Sequence, residues 1–226
     1  MAGRAGISGV GLFPHPENQP LRGKMSPGFL EKLAQARPDP GGGAAAAYGA
    51  TLGLALLEKV LQLELKRHQT QNPSLGRWQQ NRLKLRQLQK TLKGLQADDV
   101  KAYLHLAHVR ASGHCGPELT AAVQQALEVP RQIMVQAREG LDLIRGAGAL
   151  CQKHLLSDLL VAASFLAAAL EGAYHIACAN LPLIAEASRR EALAAALFQT
   201  SQDGRGLHLK IKQDFTAREP HLDPRG

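Results

Sequence analysis

Residues 38–60, PDPGGGAAAAYGATLGLALLEKV, decide the reading of this chain. The stretch opens with two prolines and three consecutive glycines, then runs to Glu58 without a charge. Glycines lose more freedom on folding than any other residue, so three of them beside strong helix formers mark a backbone that must approach something closely. From about Gly43 to His68 the pattern predicts a long helix. Ala45, Gly49 and Gly53 fall four residues apart on it, which leaves one side nearly bare for a neighbouring helix.

The composition agrees with helices. Apolar residues make up 45% of the 226 residues but aromatics only 4%, so alanine and leucine must do the packing. Strand alternation is absent apart from the brief LHLKIK, and no repeat is evident. The expected fold is all-α, an up-and-down bundle of five to six helices. Residues 1–24 read as a loose extension before Met25, residues 25–200 as the helical domain, and residues 201–226 as a polar, poorly ordered tail. The uncharged run from Gly41 to Leu57 and the apolar stretch after Asp158 are short or interrupted, so both read as core helices rather than membrane spans. Cys115, Cys151 and Cys178 share no paired spacing and read as free thiols; with no convincing targeting signal, the expected location is cytoplasmic.

Along the chain, Ser26 is a candidate N-cap for a short helix over Pro27 to Gln35, and TQNPSLG (residues 70–76) reads as a turn. From Arg77 a basic helix carries Trp78, Leu85, Leu88, Leu92 and Leu95 as a narrow apolar stripe and ends near Ala111. Pro117 restarts the helical pattern as far as about Ile144, with Pro130 as an internal kink, and GAGALCQKH reads as a loop. Ser157 is expected to cap a hydrophobic helix that ends near Pro182, and AEASRREALAAALFQ is a last amphipathic helix.

Continued by the same steps, the stripe of the basic helix reaches residues 99, 102 and 106. A carboxylate, Asp99, then falls on the core side, while Asp98 points off it. Two readings stand: a break at Gly94 with Asp98 or Asp99 capping a new helix, or a partly buried carboxylate whose raised pKa suits proton transfer. Asp158 lies in a first helical turn, where an acid suits the helix dipole. Asn180 continues the stripe Leu159, Leu166, Leu170, Ala173, Ala177, and a buried Asn needs backbone or ligand partners.

His105, His108, His114 and Cys115 lack a ligand set with reliable spacing, so no metal is expected and surface histidines are the default. PGGG follows no strand and lacks both GxGxxG and a Walker lysine, which argues against a nucleotide loop. The net charge of +8 suggests an anionic partner. Between Lys66 and Lys101 nine Lys and Arg face two Asp, which fits a solvated helix or an anion-binding face. With Trp78 alone as a stacking platform, nucleic acid is not expected.

The order of these pieces resembles the cyclodeaminase/cyclohydrolase family, which includes the C-terminal domain of formiminotransferase-cyclodeaminase and methenyltetrahydrofolate cyclohydrolases. Four blocks carry the resemblance in sequence order: FLEKLAQARPDPGGGAAAAYGATLGLALLEKV, LQADDVKAYLHL, ALEVPRQIM and SDLLVAASFLAAALEGAYHIACANL. Together they span about residues 26–185. The resemblance implies an all-helical homodimer acting on folate one-carbon adducts without a metal or other cofactor. It implies Asp99 as the catalytic carboxylate, with Gly41, Gly42 and Gly43 offering helix N-terminal N–H groups to an anionic part of the ligand. Asp158 and Asn180 would orient the pterin or Asp99, and Lys66 and Arg67 would meet the glutamate tail. Where the family pattern has a serine after the glycines this chain has Ala44, and where it has an asparagine before Asn180 this chain has Ile176. A catalytically silent helical binding or scaffold protein that keeps the fold is the alternative.

Overall fold

The computed structural model describes residues 27–67, 75–113 and 115–219. Six α-helices follow in order: α1 (Pro27–Leu33), α2 (Gly42–Arg67), α3 (Leu75–Ala111), α4 (Pro117–Leu150), α5 (Leu156–Asn180) and α6 (Ala187–Arg218). Single 3-10 turns, Lys153–Leu155 and Leu181–Leu183, bound α5. The fold is all-α, as the alanine- and leucine-rich composition demands. Residues 1–24, Met25, Ser26 and His114 lie outside the described residues, as does most of the expected turn at 70–76.

Helices α2, α3, α4 and α5 form a four-helix ring in which each packs on two neighbours, and α6 lies across α4 and α5. Consecutive members are antiparallel, and the ring closes between α2 and α5. There Gly42 lies against Ile176, Ala46 against Gly172 and Gly53 against Ala162, while Lys59 bonds Asp158. Gly53 is where the closeness is tightest. A Cβ there would stand 2.8 Å from the Ala162 carbonyl oxygen and 3.2 Å from Leu166 Cγ. Gly49 has open space instead, so of the two glycines of that stripe Gly53 serves the α2–α5 contact. By length and composition α2 and the Lys153–Leu183 region could cross a membrane, yet Leu54, Leu57, Leu159 and Leu166 are fully buried in the shared core.

Several boundaries move outward from the sequence reading, and in α4 and α6 the small residues that read as loop are packing surfaces. Helix α3 runs unbroken through Gly94. Helix α4 continues through GAGAL to Leu150, because Gly148 is the notch that receives Phe215; a Cβ there would stand 1.9 Å from the Phe215 ring. Helix α5 begins at Leu156 with no side-chain cap, so Ser157 lies inside its first turn. Residues 201–218 are not a loose tail but the second half of α6, with Ser201, Gly204, Ile211 and Phe215 buried. The Arg218 guanidinium donates to the carbonyls of Gly148 and Cys151, which closes the C-terminal end of α4. LHLKIK is helical within this element.

Candidate active site

The stripe of α3 fixes the first component. Leu85, Leu88, Leu92, Leu95, Ala102 and Leu106 are all buried, and Asp99 sits among them, half-buried on the face turned to α2. Because α3 is continuous, Asp99 does not cap its own helix. It caps another one.

Helix α2 starts with Gly41 as its N-cap, since the Gly41 carbonyl accepts the first intrahelical bond from Ala45 N–H at 3.1 Å. The N–H groups of the first turn therefore have no partner within α2. Ala44, fully buried, donates its N–H to Asp99 Oδ2 at 2.8 Å. Gly43 is what lets the carboxylate in. A Cβ at that position would lie 2.0 Å from Asp99 Oδ1 and 2.5 Å from its Cγ. The sequence reading assigned the glycine N–H groups to an anionic ligand. In the structure the protein's own carboxylate takes the N–H that follows them.

Two effects oppose each other at Asp99. Burial disfavours the charged form and raises its pKa above the ordinary carboxylate value, while the Ala44 N–H favours the charge and offsets part of the rise. The net is a carboxyl that holds its proton more firmly than a solvated one. Asp98, one residue earlier, points to solvent and pairs with Lys101 at 3.0 Å.

The other predicted residues divide by position. Gly42 and Ile176 share the Asp99 end of the bundle, with Ile176 Cδ1 3.0 Å from where a Gly42 Cβ would be. Both residues that depart from the family pattern, Ala44 and Ile176, thus flank this corner. Asn180 lies one turn beyond Ile176 and donates to the Ala126 carbonyl of α4 at 2.9 Å, so its partner is backbone. Asp158 is elsewhere. It pairs with Lys59 at 2.8 Å, about 22 Å along α2 from Ala44 at the helical rise. Lys66 and Arg67 end α2, about 35 Å from Gly43. Arg67 reaches the buried Glu64 at 3.3 Å. One copy of the chain therefore brings Gly41, Gly42, Gly43, Asp99 and Asn180 to one end, and Lys66 and Arg67 to the other, with Asp158 nearer that second end.

Among the described residues no three His, Cys, Asp or Glu side chains converge as a metal site would require. All three cysteines are free, and burial pushes the Cys151 thiol up to about 11. Trp78 is fully buried and offers no stacking surface on α3.

Comparison with known proteins follows the same lines. The chain matches the formiminotransferase-cyclodeaminase family over residues 26–199. Its fold is similar to the crystal structure of formiminotetrahydrofolate cyclodeaminase from Thermotoga maritima, with a TM-score of 0.76 at 20% identity over 84% of this chain and 94% of that one. No curated protein matches it.

Proposed function

The chain belongs to the formiminotransferase-cyclodeaminase family by its match over residues 26–199, and we propose that it interconverts one-carbon groups on tetrahydrofolate with Asp99 as general acid and base. The supporting observation is the placement of Asp99, a carboxyl raised in pKa and held at 2.8 Å by the first turn of α2. Such a group is half-protonated nearer neutrality than a free carboxylate, the condition for giving and taking a proton in one turnover.

Two reactions fit. In the cyclodeaminase direction N10 attacks the formimino carbon on N5, Asp99 takes the N10 proton and passes it to the departing nitrogen, and ammonia leaves. In the cyclohydrolase direction water adds to the carbon bridging N5 and N10, Asp99 accepts a water proton and returns it to N5, and the C–N5 bond breaks. Both leave the carbon at the same oxidation level, so the proposal contains no redox cofactor.

The protein acts as a homodimer in this proposal. Helices α2 and α5 are the most apolar in the chain, yet their shared outer face leaves Leu63, Val161 and Phe165 at 42%, 49% and 38% exposure. A second copy covers that face. A twofold axis near Leu52 and Phe165 would set the two α2 helices antiparallel and carry the Lys66–Arg67 end of one copy toward Asp99 of the other.

The test is Asp99→Asn beside Asp98→Asn, scored by ammonia release from the formimino substrate and by loss of methenyltetrahydrofolate absorbance. Asp99→Asn should lower turnover by about 10²- to 10⁴-fold, with Asp98→Asn near wild type. Wild-type protein silent in both assays would favour the scaffold reading, which Ala44 and Ile176 support by taking two polar side chains away from the corner around Asp99.

A further inference from the structure

We propose that the outer face of α3 docks on the surface of an anionic lipid bilayer, as a peripheral contact without a membrane span. The charge of the chain is concentrated on this helix. Residues 75–97 hold six Lys and Arg and no Asp or Glu, while the whole chain has a net charge of +8. Among the described residues none of the six, Arg77, Arg82, Lys84, Arg86, Lys90 and Lys93, makes an ion pair. Elsewhere the bundle pairs its guanidinium groups: Arg131 with Glu128, Arg145 with Asp214 and Arg205 with Glu171. Two acids border the α3 surface. Glu58 of α2 accepts from Gln89 at 2.8 Å, and Asp98 pairs with Lys101 at 3.0 Å. Set against six unpaired cations, they leave the face strongly positive.

The cations are ordered as well as numerous. Arg82, Arg86, Lys90 and Lys93 follow at steps of four, four and three residues, so they share one face over about 17 Å of helix. The same steps reach Ala97, Lys101 and Leu104. This row lies one residue, or about 100°, around the helix from the buried Leu85 and Leu92. Helix α3 packs on α2 and α4, so its outer face is separate from the α2–α5 face assigned to the dimer. A second, independent feature selects lipid among polyanions. Leu83, a surface neighbour of Arg86, is 68% exposed, and Leu104, in line with the row, is 47% exposed. A nucleic-acid backbone gives an exposed leucine nothing to bind, and the buried Trp78 cannot stack on a base. A bilayer surface serves both kinds of side chain, with phosphates for the cations and the acyl boundary for the leucines. The apolar stems of Arg86 and Lys90 can lie along that boundary with their charged heads among the phosphates. Clusters of about four to eight cations on a helix are what anionic leaflets attract. The proposal is independent of the folate reading.

The experiment is flotation of the full chain with vesicles of phosphatidylcholine alone and of phosphatidylcholine mixed with phosphatidylglycerol. Binding is expected to the mixed vesicles only, and to be lost between about 0.1 and 1 M salt as the Debye length falls from about 10 to 3 Å. Arg86→Gln combined with Lys90→Gln should weaken binding about 25-fold, at about fivefold per cation. Lys210→Gln combined with Lys212→Gln, at exposed positions of α6, removes the same charge and should change binding less than about twofold. All four positions are exposed, so far-UV CD melts should match wild type. The emission of Leu83→Trp should shift to the blue when mixed vesicles are added. No binding to mixed vesicles at low salt overturns the proposal. Equal losses in the α3 and α6 pairs reduce the effect to net charge and overturn it too. Unmoved Leu83→Trp emission in vesicle-bound protein places the contact elsewhere, with the same consequence. Tighter binding to a duplex oligonucleotide than to mixed vesicles, lost in the α3 pair, assigns the face to nucleic acid and overturns the lipid claim.

Discussion

Gly43→Ala isolates the geometry of the Asp99 corner from its chemistry, because it adds one methyl group and removes no functional group. The new Cβ would stand 2.0, 2.5 and 2.7 Å from Oδ1, Cγ and Oδ2 of Asp99. Non-bonded carbon atoms rest at about 3.5–4.0 Å, so the carboxylate must retreat by about 1 Å or more. Stability falls moderately. Ala is worth up to about 1 kcal/mol over Gly within a helix, less at its first turn, and the lost Ala44 N–H···Oδ2 bond costs about 1–3 kcal/mol. The two partly cancel, leaving a net loss of about 1–2 kcal/mol. Turnover should suffer far more, since an error of about 1 Å in a reacting group costs about 10²-fold. Gly94→Ala is the control: α3 is exposed there and nothing lies within 4 Å, so it should stabilise by up to about 1 kcal/mol and leave turnover intact. Urea unfolding and the ammonia-release assay on both variants decide the matter. Wild-type turnover in Gly43→Ala, or equal effects of the two substitutions, would refute the placement of the active carboxylate against α2.

Three further outcomes follow from the packing and electrostatics. Phe215→Ala should destabilise by about 3–5 kcal/mol in urea unfolding, because the ring fills the Gly148 notch at 1% exposure; a change under about 0.5 kcal/mol would mean that the second half of α6 is dispensable. Phe165→Glu, on the uncovered α2–α5 face, should give a monomer by sedimentation while wild type is a dimer, and a wild-type monomer at micromolar concentration would remove the dimer proposal. Asp99 binds its proton more tightly folded than unfolded, so its contribution to stability is most favourable at low pH and is lost as pH rises from its unfolded value, near 3.8, through the raised folded one. Asp99→Asn keeps an acceptor for Ala44 N–H and should abolish that fall, gaining on wild type at neutral pH; matched pH–stability curves for the two proteins would contradict the raised pKa.

The long helices were legible because their stripes are long. Leu85, Leu88, Leu92 and Leu95 repeat over enough turns to carry the phase through Gly94, and that phase put Asp99 on the buried side. The ends were harder. GAGAL at the end of α4 and SQDGRG within α6 read as breaks, since glycine is a poor helix former wherever nothing compensates. Here a tertiary contact compensates: Gly148 admits Phe215, and a Cβ at Gly204 would meet Leu170 Cδ1 at 2.4 Å. A small residue chosen for a neighbour's bulk looks, in one dimension, the same as a small residue chosen for a turn.

The site shows the same limit from the other side. Its individual signals were visible: bare glycines at a helix start, a carboxylate on an apolar stripe and an Asn at the end of another stripe. Their pairing was not, because Ala44 and Asp99 are brought together by the antiparallel packing of α2 on α3, a relation written in neither helix's periodicity. That pairing changes the chemistry assigned to both parts. A helix N-terminus facing open solvent would lower a carboxylate's pKa and spend its N–H groups on a ligand. Here burial outweighs the single bond from Ala44, and the corner's neighbouring positions carry Ala44 and Ile176, neither of which has a side-chain donor for the charged form. A carboxylate stabilised by several donors is a good anchor and a poor proton carrier. With one donor and a half-buried setting, Asp99 suits the second role, the one the proposed function gives it.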